Sequence, residues 1–315
     1  MQLHLYKNIT EVLSWSRSQI TSFARNAPNK YKVYTIPKRS SGQRLIAHPS
    51  RKLKLLQRAL VETLSNKLMP HECAFAYRNK ISIKENAQYH LDNQYLLKMD
   101  FTDFFNSITP DILFSVCDLK GIALSNAEKW LLQRTLFWNK TKSHDGKLVL
   151  SVGAPSSPLI SNFIMYPFDE AINSYCAQHS IQYSRYADDL TFSTKIKNSL
   201  FTVPDIVKNT LKKHYAYQIS INEFKTVFSS KAHNRHITGI TITNDNKLSI
   251  GRERKRIISS LIHKYKIGII DKEEKNHLQG LLAFSFHIEP LFKIRMSKKY
   301  SPETINEILK LRKQI

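Results

Sequence analysis

The sequence predicts a mixed α+β fold that is divided into two or three subdomains. Alternating apolar and polar residues, the pattern of half-buried β-strands, occur near residues 31–49, 94–100 and 182–193. Apolar residues at helical spacing fill much of the chain between these runs and most of it after residue 252. At 315 residues the chain is also larger than a single small hydrophobic core.

The first part of the chain predicts a helix, a β-hairpin and a second helix. Residues 10–24 place apolar side chains on one side of a helix. Residues 31–49 contain two alternating runs around a Ser-Ser-Gly turn, so we expect a hairpin with Lys38 and Arg44 at its basic tip. Helical spacing returns over residues 53–68.

The middle of the chain predicts a strand followed by helices. The segment QYLLKMDFTDFFNSI, residues 94–108, begins as an apolar strand and continues as an aromatic-rich turn. Helical spacing dominates residues 110–138, and a polar loop then leads to the short strand LVLSV. A loop containing Gly and Pro precedes a helix over residues 159–175, whose first turn presents backbone N–H groups without intrahelical partners.

The last part of the chain predicts a second hairpin and a helical end. The segment QYSRYADDLTFS, residues 182–193, has the composition of a hairpin with two acidic residues at its tip. Residues 203–217 predict a helix, and residues 219–226 and 237–242 predict strands or strand-like turns. From Arg252 onward the pattern is mostly helical.

The charge of the chain is strongly positive. It contains 48 Lys and Arg against 25 Asp and Glu, a formal charge of +23, so it attracts polyanions. No acidic residue lies between Glu11 and Glu62. A second basic region opens with Arg252, Arg254, Lys255 and Arg256. Any one such run is equally consistent with a solvated helix face, but two of them favour a nucleic-acid partner.

The cysteines and the apolar runs predict the compartment. Cys73, Cys117 and Cys176 lack CxxC spacing, so we interpret them as small buried hydrophobic residues in a reducing cytoplasm. The N-terminus has no secretory signal pattern, and no apolar run approaches the ~20 residues that a membrane helix needs. We expect a soluble cytoplasmic protein.

Asp188 and Asp189 are the most informative residues of the chain. Adjacent carboxylates in a hairpin that should be buried are costly unless they are paired or bind a metal. Asp100 ends another apolar strand and could share the same end of one sheet. Three such carboxylates suit two Mg²⁺ ions, which support phosphoryl transfer. The simpler alternative is that Asp-Asp only forms a good turn.

The motifs around these aspartates resemble a known family. YADD, the upstream DFTDFF and the intervening SVGAPSSP occur in the order of the reverse transcriptase palm, and specifically resemble the bacterial retron reverse transcriptases. The resemblance extends from about Tyr31 to Tyr300. NAQYH at 86–90 and ITG at 237–239 are similar to elements of the retron enzymes.

The resemblance implies a right-hand polymerase architecture. Residues 1–92 would form the fingers, and residues 93–245 the palm, with a ferredoxin-like sheet and a helical and loop insertion at about 110–150. Residues 246–315 would form a helical thumb that binds RNA. The resemblance also implies RNA-directed DNA synthesis with two Mg²⁺ ions as cofactor.

The resemblance implies a metal site and a proton donor. Asp100, Asp188 and Asp189 would be the catalytic metal ligands, together with the backbone carbonyl of Phe101. Lys225 matches a family lysine that is proposed to protonate the departing pyrophosphate. An ordinary exposed lysine remains an alternative for Lys225.

The nucleotide contacts follow from the same resemblance. Lys38 and Arg44 would clamp the triphosphate, with contact to the template backbone as the alternative. Phe105 would be a steric gate against the ribose 2′-OH, with a role as a core aromatic as its alternative. Gly153 and Ala154 would back the nucleotide, where small side chains allow close approach. Val152 departs from the family pattern, because many reverse transcriptases have Gln there.

The expected RNA contacts are the least specific. They comprise the NAQYH residues Asn86 and His90 and the basic residues Arg252, Arg254, Lys255 and Arg256. Tyr265, Phe284 and Phe286 could stack on RNA bases or pack in the core.

The family implies a substrate and partners. Retron enzymes copy part of a structured noncoding RNA from a guanosine 2′-OH into branched RNA-linked DNA (msDNA). The expected partners are this RNA, dNTPs, an effector protein for antiphage defence, and a host ribonuclease H, because residues 246–315 are too few for an added nuclease domain. The alternatives are a group II intron-like or CRISPR-associated reverse transcriptase, and an inactive palm that acts as an RNA-binding scaffold or antitoxin.

Overall fold

The computed structural model describes residues 3–37, 42–143 and 145–310, in which helices and strands are mixed. The helices are α1 (Leu5–Leu13), α2 (Arg17–Arg25), α3 (Arg51–Leu64), α4 (Ile83–Tyr89), α5 (Phe104–Ser107), α6 (Pro110–Leu119), α7 (Asn126–Leu136), α8 (Ser157–Ile164), α9 (Tyr166–Gln178), α10 (Val203–Tyr215), α11 (Arg252–Lys266), α12 (Lys272–Ile288), α13 (Pro290–Tyr300) and α14 (Pro302–Lys310). The strands are β1 (Tyr31–Pro37), β2 (Gln43–Pro49), β3 (Tyr95–Asp100), β4 (Trp138–Asn139), β5 (Leu148–Val149), β6 (Gln182–Tyr186), β7 (Asp189–Thr194), β8 (Val227–Ser230), β9 (Arg235–Ile237), β10 (Ile240–Ile242) and β11 (Leu248–Ser249). Short 3-10 turns lie at Ala27–Asn29 and Glu223–Lys225.

The beginning of the chain differs from the prediction. The predicted single helix over 10–24 is wrong, because the structure has α1 and α2 with a break between them. Ser14 adopts a left-handed conformation with φ 55°, and this ends α1. Ser16 then starts α2 through a capping box, in which its Oγ accepts from Gln19 N at 3.2 Å and Gln19 Oε1 accepts from Ser16 N at 2.8 Å.

The predicted first hairpin is confirmed. Strands β1 and β2 pair antiparallel from Tyr31–Pro49 to Pro37–Gln43. Most of β1 is exposed, whereas the end of β2 is anchored because Ala47 N donates to the Val152 carbonyl at 3.1 Å. The hairpin is therefore joined to the loop that precedes α8. Its tip, including Lys38, lies outside the described residues.

The central sheet has a ferredoxin-like topology. Its four strands lie in the order β6-β7-β3-β8, and every neighbouring pair is antiparallel. Counted along the chain, the spatial order is 4-1-3-2 when read from β8, with helices after the first and third strands, as in a split βαβ fold. The C-terminal end of β3 lies beside the N-terminal end of β7. Residues that follow β3 therefore lie close to residues that precede β7.

The fourth strand of this sheet was not predicted. Residues 219–226 were expected to be strand-like, but they contain one β-bridge, between Phe101 and Ile221, and a 3-10 turn. The strand follows at Val227–Ser230, where it pairs with β3. Val227 and Phe228 are both exposed, so this short strand lacks the buried alternation that identifies strands in a sequence.

The buried apolar residues form two main clusters. The largest cluster of buried residues extends from Leu3 to Ile219 and combines the helices before β1 with the central sheet. A second cluster joins α11–α14 to β9 and β10 and includes Ala87 and Leu96. The three cysteines are buried and unbridged, as predicted. Within the described residues, no helix has both the length and the apolar character to cross a membrane.

Candidate active site

The three predicted catalytic carboxylates meet at one end of the central sheet. Asp100 and Asp189 are directly opposite each other in the pairing of β3 with β7. Phe101 N donates to the Asp188 carbonyl at 3.2 Å, which places the β6–β7 turn beside the end of β3. The turn residue Ala187 is left-handed, with φ 58°. The strand pairing therefore brings together residues that are far apart in the sequence.

Negative charge accumulates at this end of the sheet. Partial burial, together with the negative charges of Asp188 and Asp100, raises the pKa of Asp189 to about 6. Burial and the charge of Asp100 also raise the pKa of Asp188. Countercharge comes from Lys98 and Arg44 and from Lys225, whose Nζ lies 2.9 Å from Asp100 Oδ2 while 57% of its side chain remains exposed. The carboxylates are thus only partly neutralised by the protein.

The chemistry of the donors fits a divalent cation. In the described part of the chain, no three His, Cys, Asp or Glu side chains form a closed metal-binding set. The carboxylates nevertheless repel one another, and hard oxygen donors of this kind suit Mg²⁺. The bridge between β3 and Ile221 uses the Asp100 carbonyl and the Thr102 N–H, which bond Asn222 N and Ser220 O at 2.8 Å. The N–H and C=O groups of Phe101 therefore point away from Ile221, towards Asp188.

Phe105, Gly153 and Ala154 line one cavity of about 370 Å³, next to Val152. Gly153 has φ 115°, and a Cβ there would lie 3.4 Å from the carbonyl oxygen of Ala47, so both the backbone conformation and the close packing favour Gly. Phe104 is buried and stacks on the ring of Phe101, whereas Phe105 is only half-buried. Of the two adjacent aromatic residues, Phe105 faces the cavity.

Other residues that line this cavity were not predicted from the sequence. His48, Lys54, Arg58 and Tyr77 also line it, and the Lys54 ammonium contacts His48 Nε2. The pKa of Tyr77 is raised by burial and by the charge of Asp188, whereas Arg44 opposes that rise. The charges of Asp188, in the β6–β7 turn, and of Arg44, in β2, therefore both act on Tyr77. Lys54 and Arg58 belong to the acid-free basic stretch, but no sequence signal identified Tyr77.

A second cleft of about 620 Å³ separates the sheet from α11 and α12, and Asp189 lies on its wall. Arg254 crosses this cleft, because its guanidinium donates to the Gly239 carbonyl at 2.6 Å and lies 5.3 Å from the centre of the Phe284 ring. Lys255 instead bonds Glu289 Oε1 at 2.8 Å within the protein. Arg252 and Arg256 are exposed on α11.

The prediction that Asn86 and His90 contact RNA is wrong. Both side chains are buried, and His90 lies between Ser193 Oγ at 2.7 Å and Ser184 Oγ at 2.8 Å. The Ser184 hydroxyl donates onward to Asn86 Oδ1 at 2.7 Å. Burial lowers the pKa of His90 to about 3, so the imidazole is neutral at pH 7. Asn86 and His90 fasten α4 to the sheet and are covered by protein, whereas Gln88 and Tyr89 of the same segment are exposed.

Comparison with known proteins defines the class of the enzyme. Residues 36–242 match the family described as Reverse transcriptase (RNA-dependent DNA polymerase). The fold is similar to that of telomerase from Candida albicans, solved with the TWJ fragment of telomeric RNA, at TM-score 0.50 and 13% identity. That similarity covers 95% of this chain and 60% of the telomerase chain. The fold and the family match together define a right-hand, RNA-directed DNA polymerase.

The relatives identify the branch of this class. The chain is 50% identical to the Retron Ec83 reverse transcriptase of Escherichia coli over 89% of this chain and 90% of that protein. It is 32% identical to the Retron Ec73 reverse transcriptase of the same species, over 88% and 89% of the two chains. The chain belongs to the bacterial retron reverse transcriptases. This result replaces the intron-like, CRISPR-associated and inactive-scaffold alternatives.

Proposed function

We propose that this enzyme copies part of a cognate structured noncoding RNA into single-stranded DNA that stays joined to that RNA through a guanosine 2′-OH. The product would be the branched msDNA that the retron resemblance implies. The observation that carries the proposal is the carboxylate cluster at the ends of β3 and β7, where Asp100 is paired with Asp189. A basic chain with one cleft that includes Asp189 and a second cavity lined by Phe105, Lys54 and Arg58 suits an RNA–DNA duplex.

Two Mg²⁺ ions would be held by Asp100, Asp188, Asp189 and the carbonyl of Phe101. Such a pair, when bound, activates the attacking hydroxyl and stabilises the leaving oxygen of an in-line displacement. Lys225 would donate a proton to the departing pyrophosphate, because its ammonium group already lies at the Asp100 carboxylate.

The remaining nucleotide contacts come from the fingers and from the cavity beside the cluster. Lys38 and Arg44 would bind the triphosphate, since charge-assisted hydrogen bonds to phosphate are strong. Phe105 would exclude a ribose 2′-OH by shape, because its half-buried ring lines the cavity. Gly153 and Ala154 would allow the nucleotide to approach the backbone closely.

The segments would divide the work as fingers (1–92), palm (93–245, with the insertion at about 110–150) and a thumb (246–315) that binds RNA. Support for the thumb comes from the packing of α11–α14 in an apolar cluster distinct from the largest one, and from the exposed Arg252 and Arg256 on α11. Arg254 would contact nucleic acid from the cleft wall. Lys255 would contribute less, because it is paired with Glu289.

The biological setting follows from the family alone. We infer a cytoplasmic enzyme that acts in antiphage defence with a retron effector protein. A host ribonuclease H would remove the copied RNA. The noncoding RNA and dNTPs would be its substrates.

The test uses the purified enzyme with its cognate noncoding RNA, dNTPs and Mg²⁺. We expect a DNA product that a debranching enzyme releases from the RNA. Asp188→Asn should abolish synthesis and retain RNA binding, and Asp205→Asn, which changes an exposed aspartate on α10, should leave synthesis unchanged. Linear DNA alone would contradict the branched product, and undiminished synthesis by Asp188→Asn would contradict the metal site.

A further inference from the structure

A fully buried ion pair lies directly behind the catalytic turn. Arg185, in β6, donates from Nε to Asp169 Oδ1 at 2.9 Å and from Nη2 to Asp169 Oδ2 at 2.6 Å. Both side chains are 0% exposed. Asp169 Oδ1 also accepts from the Tyr183 hydroxyl at 2.8 Å. The carboxylate therefore holds the planar guanidinium in one orientation.

The third nitrogen of this guanidinium reaches the turn itself. Arg185 Nη1 donates to the carbonyl of Ala187 at 3.1 Å and to Asn162 Oδ1 at 3.0 Å. Ala187 has φ 58°, a left-handed conformation that is unfavourable for residues other than Gly, and it immediately precedes Asp188. The hydrogen bond therefore stabilises the strained backbone of Ala187. That backbone conformation sets the direction in which the Asp188 side chain points.

The backbone of Arg185 joins the same turn to a second part of the active site. Its N–H donates to the Cys73 carbonyl at 2.8 Å, and its carbonyl accepts from Phe75 N at 2.8 Å. Asn162 Nδ2 donates to the Ala76 carbonyl at 2.9 Å. The next residue is Tyr77, which lines the cavity that also contains Phe105.

Stability alone does not account for this pair. Removing two charges from water is costly, and replacing a buried ion pair by apolar residues of similar size is often neutral or stabilising. Apolar residues could fill the same volume, but they could not donate a directed hydrogen bond to Ala187. The ion pair therefore contributes something that apolar residues could not, which is a directed hydrogen bond that fixes the geometry of the turn.

We propose that Arg185, oriented by Asp169, is a positioning residue that holds the Ala187–Asp189 turn in the conformation in which its carboxylates face Asp100. This inference rests on the proposed metal site and deepens it. Arg185 touches neither substrate nor metal. It acts through the Ala187 carbonyl.

The test separates positioning from stability. Arg185→Met alone leaves Asp169 buried without a countercharge and is expected to destabilise the protein strongly, which would confound its activity. The triple variant Asp169→Leu/Arg185→Met/Tyr183→Phe removes both charges and the hydroxyl that would lose its acceptor, and it should fold. We expect this variant to bind Mn²⁺, measured by electron paramagnetic resonance, about 10- to 100-fold more weakly than wild type. Its kcat should fall about 10²-fold, with little change in the KM for dNTP.

A metal-free readout and a matched control complete the experiment. Hydrogen–deuterium exchange at residues 186–190 should be faster in the triple variant than in wild type without any added metal. Arg185→Lys keeps the charge but not the forked geometry, so it should show the same changes in smaller degree. The control is Arg235→Lys, since Arg235 is also buried but donates to the carbonyls of Asn93 and Thr243, away from the turn. Mn²⁺ affinity should be unchanged in that control.

Two outcomes would decide against the proposals, and they are distinguishable. A folded triple variant with wild-type exchange, Mn²⁺ affinity and kcat would overturn the positioning role of Arg185. If Asp188→Asn, measured in parallel, also kept its Mn²⁺ affinity and its synthesis, the metal site itself would be wrong.

Discussion

Asp169, on helix α9, lies close to the aspartates at the end of the central sheet, and the protein surrounds the two sites in opposite ways. Asp169 is buried, and a bidentate guanidinium satisfies both of its oxygens. Asp188 and Asp189 lie at the open end of the sheet, where partial burial and, after it, the neighbouring carboxylates raise the pKa of each. Countercharge there comes from Lys98 and from Lys225, which contacts Asp100 and is mostly exposed.

The contrast shows what an acidic residue needs at each place. In the interior, no cation from outside can reach a carboxylate, so the chain supplies an arginine within hydrogen-bond distance. At the end of the sheet the chain leaves the carboxylates incompletely neutralised, which favours the binding of a cation. The interior pair and the open cluster are joined by one hydrogen bond, from Arg185 to Ala187.

The largest expected effect is the loss of catalysis at the open cluster. Asp189→Asn should lower the rate of DNA synthesis by more than about 100-fold, because the loss of a direct metal ligand costs more than the loss of an outer-shell partner. The free energy of unfolding should not fall, because the change removes a repulsive charge. Primer-extension rates and urea unfolding measure the two quantities. If Asp189→Asn proved to be destabilised but still active, the prediction would be wrong.

The interior aspartate should show the opposite behaviour. Asp169→Asn leaves the Arg185 guanidinium buried without a countercharge, so the free energy of unfolding should fall by about 3–5 kcal/mol. Urea unfolding measures this fall, with the exposed Asp205→Asn as the matched control. A loss below about 1 kcal/mol would show that the buried pair is not required for stability.

Metal ions should stabilise the protein only through the open cluster. At 100 times its dissociation constant, a ligand that binds only the folded state adds about 2.7 kcal/mol to the free energy of unfolding. We therefore expect Mg²⁺ to raise the Tm of the wild-type enzyme and EDTA to remove the increase. In Asp189→Asn most of this increase should be absent. An equal increase in both proteins would place the ion elsewhere.

Because His90 is buried behind the sheet, the free energy of unfolding should depend on pH. The pKa of His90 is about 3 in the folded protein and about 6.5 in an unfolded chain, so the unfolded state binds more protons between these values. The stability that neutral His90 permits is complete above pH 6.5 and falls as the pH drops. The expected loss at pH 5 is about 2 kcal/mol.

Comparison of unfolding at pH 7 and pH 5 measures this loss. His90→Gln keeps a polar side chain but does not titrate, so its stability should change less between the two pH values. The matched control is the exposed His233→Gln, which should keep the wild-type pH dependence. Identical pH dependence in wild type and His90→Gln would contradict the assignment.

The smallest expected effect concerns selectivity beside the open cluster. Phe105→Ala removes the half-buried ring from the cavity, so incorporation of ribonucleotides relative to deoxynucleotides should rise by about 10-fold or more. Competition between rNTP and dNTP in primer extension measures the ratio. The buried Phe104→Leu is the control for altered packing, and it should change stability more than selectivity. Unchanged discrimination in Phe105→Ala would refute the gate.

The motifs could be located from the sequence because each depends on neighbouring residues. YADD forms a hairpin tip through local chemistry, and DFTDFF begins at the end of a short apolar run that predicts a strand. The strand Val227–Ser230 was not predictable in this way, because β3 holds it in place although two of its side chains are exposed. Asn86 and His90 were misjudged for a related reason, since their hydrogen-bond partners lie about 100 residues away.

The sequence by itself determined the class of the protein, the identity of its acidic residues and its attraction to nucleic acid, because composition and short motifs record these properties directly. Only the tertiary structure decided which charges are neutralised within the protein. Whether an aspartate is paired, as Asp169 is with Arg185, or left open, as Asp189 is, depends on which distant side chains reach it and on how much water is excluded. Both are properties of packing, and no local pattern of residues specifies them.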